Sequence, residues 1–152
     1  MARVFVSIGS NIERGKNVRS GLDAMSRAFG ELTVSSIYET PAVGFEGQDF
    51  YNLAAGFDSA WAPEDIARRL REIEHGHGRL RGKDSFEARS LDLDMLLYGD
   101  LVLRRDGVQV PRDEITQYAF VLRPLAEIAA GVRHPVLGKS MAELWSEFDG
   151  EG

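Results

Sequence analysis

The run Leu91-Asp92-Leu93-Asp94-Met95 alternates apolar and acidic residues with a period of two, and an extended strand sorts that pattern into one apolar and one acidic face. Leu91, Leu93 and Met95 then point one way. Asp92 and Asp94 point the other, with Cα atoms roughly 7 Å apart. The chain must therefore build a sheet whose core face backs onto a pair of carboxylates. Carboxylate oxygens are hard ligands suited to Mg²⁺, which takes one or two of them together with phosphate oxygens and water, and a pair of cations about 3.5–4 Å apart would bridge this spacing. An acidic solvent face on a half-buried strand is the alternative reading of Asp-x-Asp alone.

The preceding segment bears on that choice. From Arg79 to Arg89 the sequence holds four basic residues against two acidic ones, in a chain whose formal net charge is −6. Arginine presents a planar fork of donors that matches phosphate oxygens, and a loop beside the acidic strand is where groups closing over a polyphosphate would sit. A solvated charge run, with Arg89 neutralising Asp92 or Asp94, is the bland counterpart.

Periodicity orders the rest of the chain. Arg3 to Gly9 alternates around Val4, Val6 and Ile8 with Phe5 opposite, which predicts a strand ended by Gly9-Ser10-Asn11. Val18, Leu22, Met25 and Phe29 form one stripe of a helix that stops at Gly30. Leu32, Val34 and Ser36-Ile37-Tyr38 predict a second strand, Thr40 to Gln48 a loop, and Phe50 to Ser59 a third strand. Pro63 opens a helix with Ile66, Leu70 and Ile73 on its buried stripe, and Arg71 and Glu74 share a flank just before the basic segment. His75 and His77 lie too close in sequence to face one another and suit the helix C-terminus better than a metal. After the Asp92 strand, Leu101-Val102-Leu103 predicts a short strand and Arg104-Arg105-Asp106-Gly107 a turn; Phe120 to Ala130 and Met141 to Phe148 predict helices. Strand, helix, strand, strand, helix, strand is the α+β, ferredoxin-like βαββαβ order, with helices on one side of the sheet and C-terminal additions.

Composition bounds the function. At 152 residues and 43% hydrophobic content the chain suits one compact domain spanning 1–152. It has no cysteine, so thiolate and disulfide chemistry are excluded. No apolar run reaches membrane-spanning length, and a cytoplasmic protein is expected. The acidic balance argues against nucleic acid and anionic membrane as partners.

Five segments in order carry a resemblance: Ser7-Ile8-Gly9-Ser10-Asn11; Tyr38-Glu39-Thr40-Pro41; Phe50-Tyr51-Asn52; Arg79-Leu80-Arg81 with Arg89-Ser90-Leu91-Asp92-Leu93-Asp94; and Phe120-Val121-Leu122-Arg123-Pro124-Leu125-Ala126-Glu127-Ile128. The chain resembles the 6-hydroxymethyl-7,8-dihydropterin pyrophosphokinases, which transfer a pyrophosphoryl group from ATP to the pterin hydroxymethyl in folate biosynthesis. The resemblance implies that Asp92 and Asp94 ligate two Mg²⁺ ions on the ATP phosphates and that Arg79 and Arg89 clamp the polyphosphate during transfer. Glu74, Arg81 and Phe86 are implied on the nucleotide side, Phe86 from a segment that also covers the pterin; Arg71, which shares a helix flank with Glu74, and Arg112, a candidate phosphate contact at a position where the family commonly has histidine, are expected to bind ATP with them. Thr40, Pro41 and Val43 would border the pterin, Asn52 would hydrogen-bond it, and Phe50 and Phe120 would stack on it. Stacking faces and an amide that both gives and accepts suit a flat heterocycle. ATP and hydroxymethyl-dihydropterin are the expected partners of a monomer.

The chain departs from the family pattern in three places. Glu87-Ala88 stand where Gly-Pro is common before the second clamp arginine, Arg112 follows Val110-Pro111 where a histidine is common, and Tyr118 replaces a basic residue. A non-catalytic pterin or nucleotide binder is the alternative function. A ferredoxin-like RNA-binding module is disfavoured, because it needs exposed stacking aromatics on a basic face.

Overall fold

The computed structural model describes residues 1–41, 49–78, 90–105 and 107–150. Strand β1 (Ala2–Ser10) leads through helix α1 (Arg14–Phe29) to the short strands β2 (Thr33–Val34) and β3 (Tyr38–Thr40). The long strand β4 (Phe50–Ser59), helix α2 (Pro63–Gly76) and strand β5 (Asp92–Tyr98) follow. A hairpin of β6 (Leu103–Arg105) and β7 (Val108–Val110) precedes helices α3 (Glu114–Gln117), α4 (Ala119–Ile128) and α5 (Met141–Ser146).

In the main sheet β1 lies between β4 and β5, and β4 carries β2 and β3 along its far edge, all antiparallel. With β2 and β3 taken as one interrupted strand, this is the ferredoxin-like arrangement expected from the order of elements. Alternation decides which side chains face which layer. Val4, Val6 and Ile8 of β1 join Leu53, Ala55 and Phe57 of β4 and Leu91, Leu93 and Met95 beneath α1 and α2, whose stripes supply Val18, Met25, Ile66, Leu70 and Ile73. Each of these side chains larger than alanine contributes roughly 1.5–3 kcal/mol when fully buried. On the opposite face Phe5, Leu96 and Leu97 pack against Ile115, Val121, Leu122, Leu125 and Met141, so the C-terminal additions cover what the first two helices leave open. Gly56 makes room for Phe5: a Cβ there would lie 2.7 Å from the ring.

The structure corrects the local reading at three points. The second strand is broken. Thr33 and Val34 pair with Gly56 and Ala55, whereas Tyr38 pairs with Asn52, so one residue of the intervening Ser35-Ser36-Ile37 is extra and forms a bulge. The short strand expected at Leu101–Leu103 runs instead over Leu103–Arg105, because Leu101 packs on the core while Val102 is left exposed, and because Gly107, with φ at +78°, lets the chain turn straight back into Val108–Val110. Arg104 and Arg105 are therefore strand residues, not turn residues; Asp106 lies outside the described residues. Along β5 the strict alternation also ends at Met95. Val6 pairs with Met95 and Phe5 with Leu97, which leaves Leu96 as an inserted residue that joins the second core.

Candidate active site

Register places the site on the sheet face that looks toward α4. Tyr38 pairs with Asn52, Asn52 with Gly9, and Gly9 with Asp92, so one row crosses β3, β4, β1 and β5. Directly paired residues of antiparallel strands point to the same face. The row next to it runs Ala54, Ser7, Asp94. Gly9 is the floor between Asn52 and Asp92: a Cβ there would come within 3.2 Å of Asn52 Oδ1. At one interstrand step each, the Cα atoms of Asn52 and Asp92 stand about 10 Å apart. The buried Ser10 hydroxyl donates to the Ser90 carbonyl at 2.6 Å and fixes the entry to β5 beside the end of β1.

The β5 end of the row is acidic. β5 is an edge strand, and two of its outward backbone groups are taken by neighbouring elements. The Leu93 N–H donates to Glu74 Oε2 at 2.7 Å, and the Leu96 carbonyl accepts from the Arg112 N–H at 3.0 Å. Glu74 is fully buried and Asp92 and Asp94 are half-buried. One carboxylate oxygen from each of the three lies within 4.8 Å of the other two. Charges this close repel by roughly 3–4 kcal/mol per pair at an effective dielectric of about 20. Arg112 meets Asp94 at 3.5 Å while its Nε donates to Glu114 at 2.8 Å. An all-oxygen set of hard, anionic donors at this spacing fits a divalent cation. Arg71 donates to the Gly107 carbonyl at 3.1 Å and lines a recess with Asp94, Val108, Gln109 and Arg112.

The other end is neutral and internally bonded. The Asn52 carboxamide, 6% exposed, donates to Thr40 Oγ1 at 2.5 Å and leaves its oxygen over Gly9. Phe50 pairs with Thr40 and is half-buried, and Phe120 in the first turn of α4 is half-buried and stacked on Tyr118 with ring centroids 5.0 Å apart. Pro41 is exposed at the end of β3.

The structure thus gathers Asp92, Asp94, Glu74, Arg71 and Arg112 at the β5 edge, and Thr40, Phe50 and Asn52 at the β3–β4 end, with Phe120 on α4. Val43, Arg79, Arg81, Phe86 and Arg89, with the departing pair Glu87-Ala88, lie outside the described residues. Tyr118, the third departure, serves as a stacking partner for Phe120. His77 is satisfied as a structural residue, its Nδ1 against the Ile73 carbonyl at 2.7 Å and its Nε2 against Ser20 at 2.8 Å. Sequence reasoning missed that Glu74 completes the acidic cluster. A signal was present, since Glu74 falls eight residues after Ile66 on the buried stripe of α2, where a carboxylate has no packing reason to be.

Comparison with known proteins supplies the family. The sequence profile of the 7,8-dihydro-6-hydroxymethylpterin-pyrophosphokinase family matches residues 5–130. A 2-amino-4-hydroxy-6-hydroxymethyldihydropteridine pyrophosphokinase of Pseudomonas aeruginosa is 36% identical over 154 residues, covering 99% of this chain and 94% of that protein. The enzyme of the same name from Aquifex aeolicus is 30% identical, covering 97% and 92%. A folic acid synthesis protein of Pneumocystis carinii is 30% identical over 95% of this chain, which spans only 20% of that longer protein. Among solved structures, a Plasmodium falciparum HPPK-DHPS triple mutant with pteroate superposes with a TM-score of 0.74 at 13% identity, over 96% of this chain and 43% of that one, which supports the fold.

Proposed function

The chain belongs to the 7,8-dihydro-6-hydroxymethylpterin-pyrophosphokinase family, the ATP-dependent diphosphotransferases of folate synthesis, and we propose that it performs the transfer along the row from Asn52 to Asp92. The observation that carries this reading is the row itself. A hydrogen-bonding carboxamide and a metal-binding carboxylate share one sheet face with only Gly9 between them, and their spacing suits a heterocycle at one end and a triphosphate at the other.

Asn52 and Thr40 read the donor and acceptor edge of the pterin, with Pro41 and Val43 at its border and Phe50 and Phe120 offering stacking faces. Asp92 and Asp94, backed by Glu74, hold Mg²⁺, in two ions on this reading. Bound there, Mg²⁺ supplies charge neutralisation to the phosphate oxygens. Arg71, Arg81 and Arg112 bind the nucleotide, Phe86 covers the bound substrates, and Arg79 and Arg89 carry the donors that tighten as charge develops on the transferring group. The hydroxymethyl oxygen attacks the β-phosphorus of ATP, its bond to phosphorus forms as the bridge to the α-phosphorus breaks, AMP departs, and the hydroxyl proton is released. No protein nucleophile is required, so catalysis rests on positioning and charge. We read residues 1–152 as one such domain, acting as a cytoplasmic monomer with neither nucleic acid nor membrane as partner.

The test is to combine the protein with ATP, Mg²⁺ and 6-hydroxymethyl-7,8-dihydropterin and separate the products. AMP and the pterin diphosphate are expected in equal amounts. Tight binding of both substrates with no AMP would identify a non-catalytic homologue, and ADP formation would mean a different transfer.

A further inference from the structure

The bulge between β2 and β3 is closed by a side chain from α4. A bulge deprives backbone groups of their ladder partners, and each must be satisfied elsewhere. The Ala54 N–H turns to Ser35 Oγ at 2.9 Å. The Ser36 N–H leaves the sheet and donates to Glu127 Oε2 at 2.9 Å, and the Ser36 hydroxyl donates to the same oxygen at 3.0 Å. The Tyr38 hydroxyl donates to the other oxygen, Oε1, at 2.5 Å, while Arg123, one turn earlier on α4, stands 4.7 Å from the Tyr38 ring centroid. One carboxylate therefore takes three donors from the segment that opens β3.

Both ends of this contact lead to the pterin side of the row. Tyr38 pairs with Asn52, and Thr40, two residues on, accepts the Asn52 amide. On α4, Phe120 precedes Glu127 by seven residues, so the two share a helix face about 10 Å apart along the axis. We propose that Glu127 is a positioning residue for the pterin: by clamping the bulge and Tyr38 onto α4 it fixes Thr40 and Asn52 relative to Phe120. This rests on the pterin site proposed above. The network is solvent-exposed, so its weight in global stability is small, and its effect is expected in local order and in pterin affinity.

The experiment uses the whole chain and its Glu127→Ala, Glu127→Gln and Tyr38→Phe variants. Dissociation constants are measured for 6-hydroxymethyl-7,8-dihydropterin in the presence of a non-hydrolysable Mg-ATP analogue, and for the analogue alone. Amide hydrogen exchange is followed without ligand. Glu127→Ala should weaken pterin binding by about ten-fold, the scale of losing hydrogen bonds to a charged acceptor, and leave nucleotide binding within about two-fold. Glutamine keeps one accepting oxygen and should restore part of the loss, and Tyr38→Phe, which removes one of the three donors, should weaken pterin binding by about three-fold. Exchange at Tyr38, Glu39 and Thr40 should quicken in Glu127→Ala while β1 stays protected. Equal weakening of both ligands, or unchanged exchange across β3, would overturn the proposal. If the unaltered chain bound no pterin, the pterin reading would fall by itself, and the exchange arm would still decide whether Glu127 orders β3.

Discussion

The two ends of the site row are built on opposite principles. At Asn52 the polar groups are bonded within the fold, the amide to Thr40 and the Tyr38 phenol to Glu127, a lone carboxylate that accepts three hydrogen bonds. At Asp92 three carboxylates converge within 4.8 Å, one of them fully buried. The first end is preorganised by folding, and on the proposed reading it receives a heterocycle of matching edge and thickness. The second concentrates like charge at one sheet edge, and on the proposed reading it meets the cations and the triphosphate that arrive with the nucleotide. Changes at the neutral end should therefore act on pterin affinity alone, and changes at the acidic end on rate and, where a metal ligand is lost, on Mg-nucleotide binding as well.

The largest effect is expected at the acidic end. Asp92→Asn and Asp94→Asn each remove a hard anionic ligand while keeping the shape of the side chain, and turnover should fall by about 10³-fold or more. The fold should persist, since both residues are only half-buried. The Mg²⁺-dependent rise in melting temperature given by an ATP analogue should also disappear, because a ligand that no longer binds the native state no longer stabilises it. Near-normal rates at ordinary Mg²⁺ in either variant would remove these carboxylates from the metal assignment.

Arg79 and Arg89 come next. If they act as charge develops, replacing either with alanine should lower the single-turnover rate by roughly 10²-fold with a much smaller change in ATP affinity, and Arg89→Lys should recover only part, since it keeps the charge but not the fork. A collapse of binding at an unchanged saturating rate would instead make them anchors for ground-state nucleotide, and the acidic end would then be an affinity device like its neighbour.

At the neutral end, Phe120→Ala should cost pterin binding about 1–3 kcal/mol, the worth of a stacking face, and spare ATP. Gly9→Ala is the finer probe. Its added methyl would sit 3.2 Å from Asn52 Oδ1, so the carboxamide must shift by a few tenths of an ångström, and pterin affinity should fall by a smaller factor. If either variant weakened ATP as much as pterin, the two ends would not be separable.

How much of this could be read in advance follows the same division. The alternation of Leu91 to Met95, the α2 stripe and the order of elements are local patterns, and they led to the sheet, its helices and the shared face of Asp92 and Asp94. The row from Tyr38 to Asp92 depends on register between strands far apart in sequence, which no local pattern encodes. The bulge at Ser35–Ile37 has no sequence signature of its own, because the opposing Ala54 N–H is taken by the Ser35 hydroxyl and the Ser36 N–H by Glu127, ninety-one residues from Ser36. Glu74 was visible as an acidic residue on a buried stripe, but its convergence with Asp92 and Asp94 requires the packing of α2 on β5.

The smallest effect concerns pH and separates the ends by their titrating groups. The Glu127 carboxyl is held below its ordinary range, first by the Tyr38 hydroxyl and then by the Ser36 N–H, and the Tyr38 phenol is raised, first by the same bond to Glu127. A carboxyl lowered on folding contributes stability that is present above its unfolded pKa, about 4.3, and lost as pH falls through the folded value. A phenol raised on folding contributes stability that is present below its unfolded pKa of about 10 and lost as pH rises through the folded value. The clamp should thus be constant across neutral pH and weaken on both flanks. Denaturant midpoints of the unaltered chain and of Glu127→Gln should differ by a fixed small amount through the neutral range and converge in acid; Tyr38→Phe should converge with the unaltered chain in strong alkali. Pterin affinity should track the same plateau wherever the pterin itself does not titrate. A difference between the unaltered chain and Glu127→Gln that persisted undiminished well below the carboxylate range would mean that Tyr38 and Ser36 do not hold Glu127 in its ionised form, and the neutral end of the site would then owe its order to packing alone.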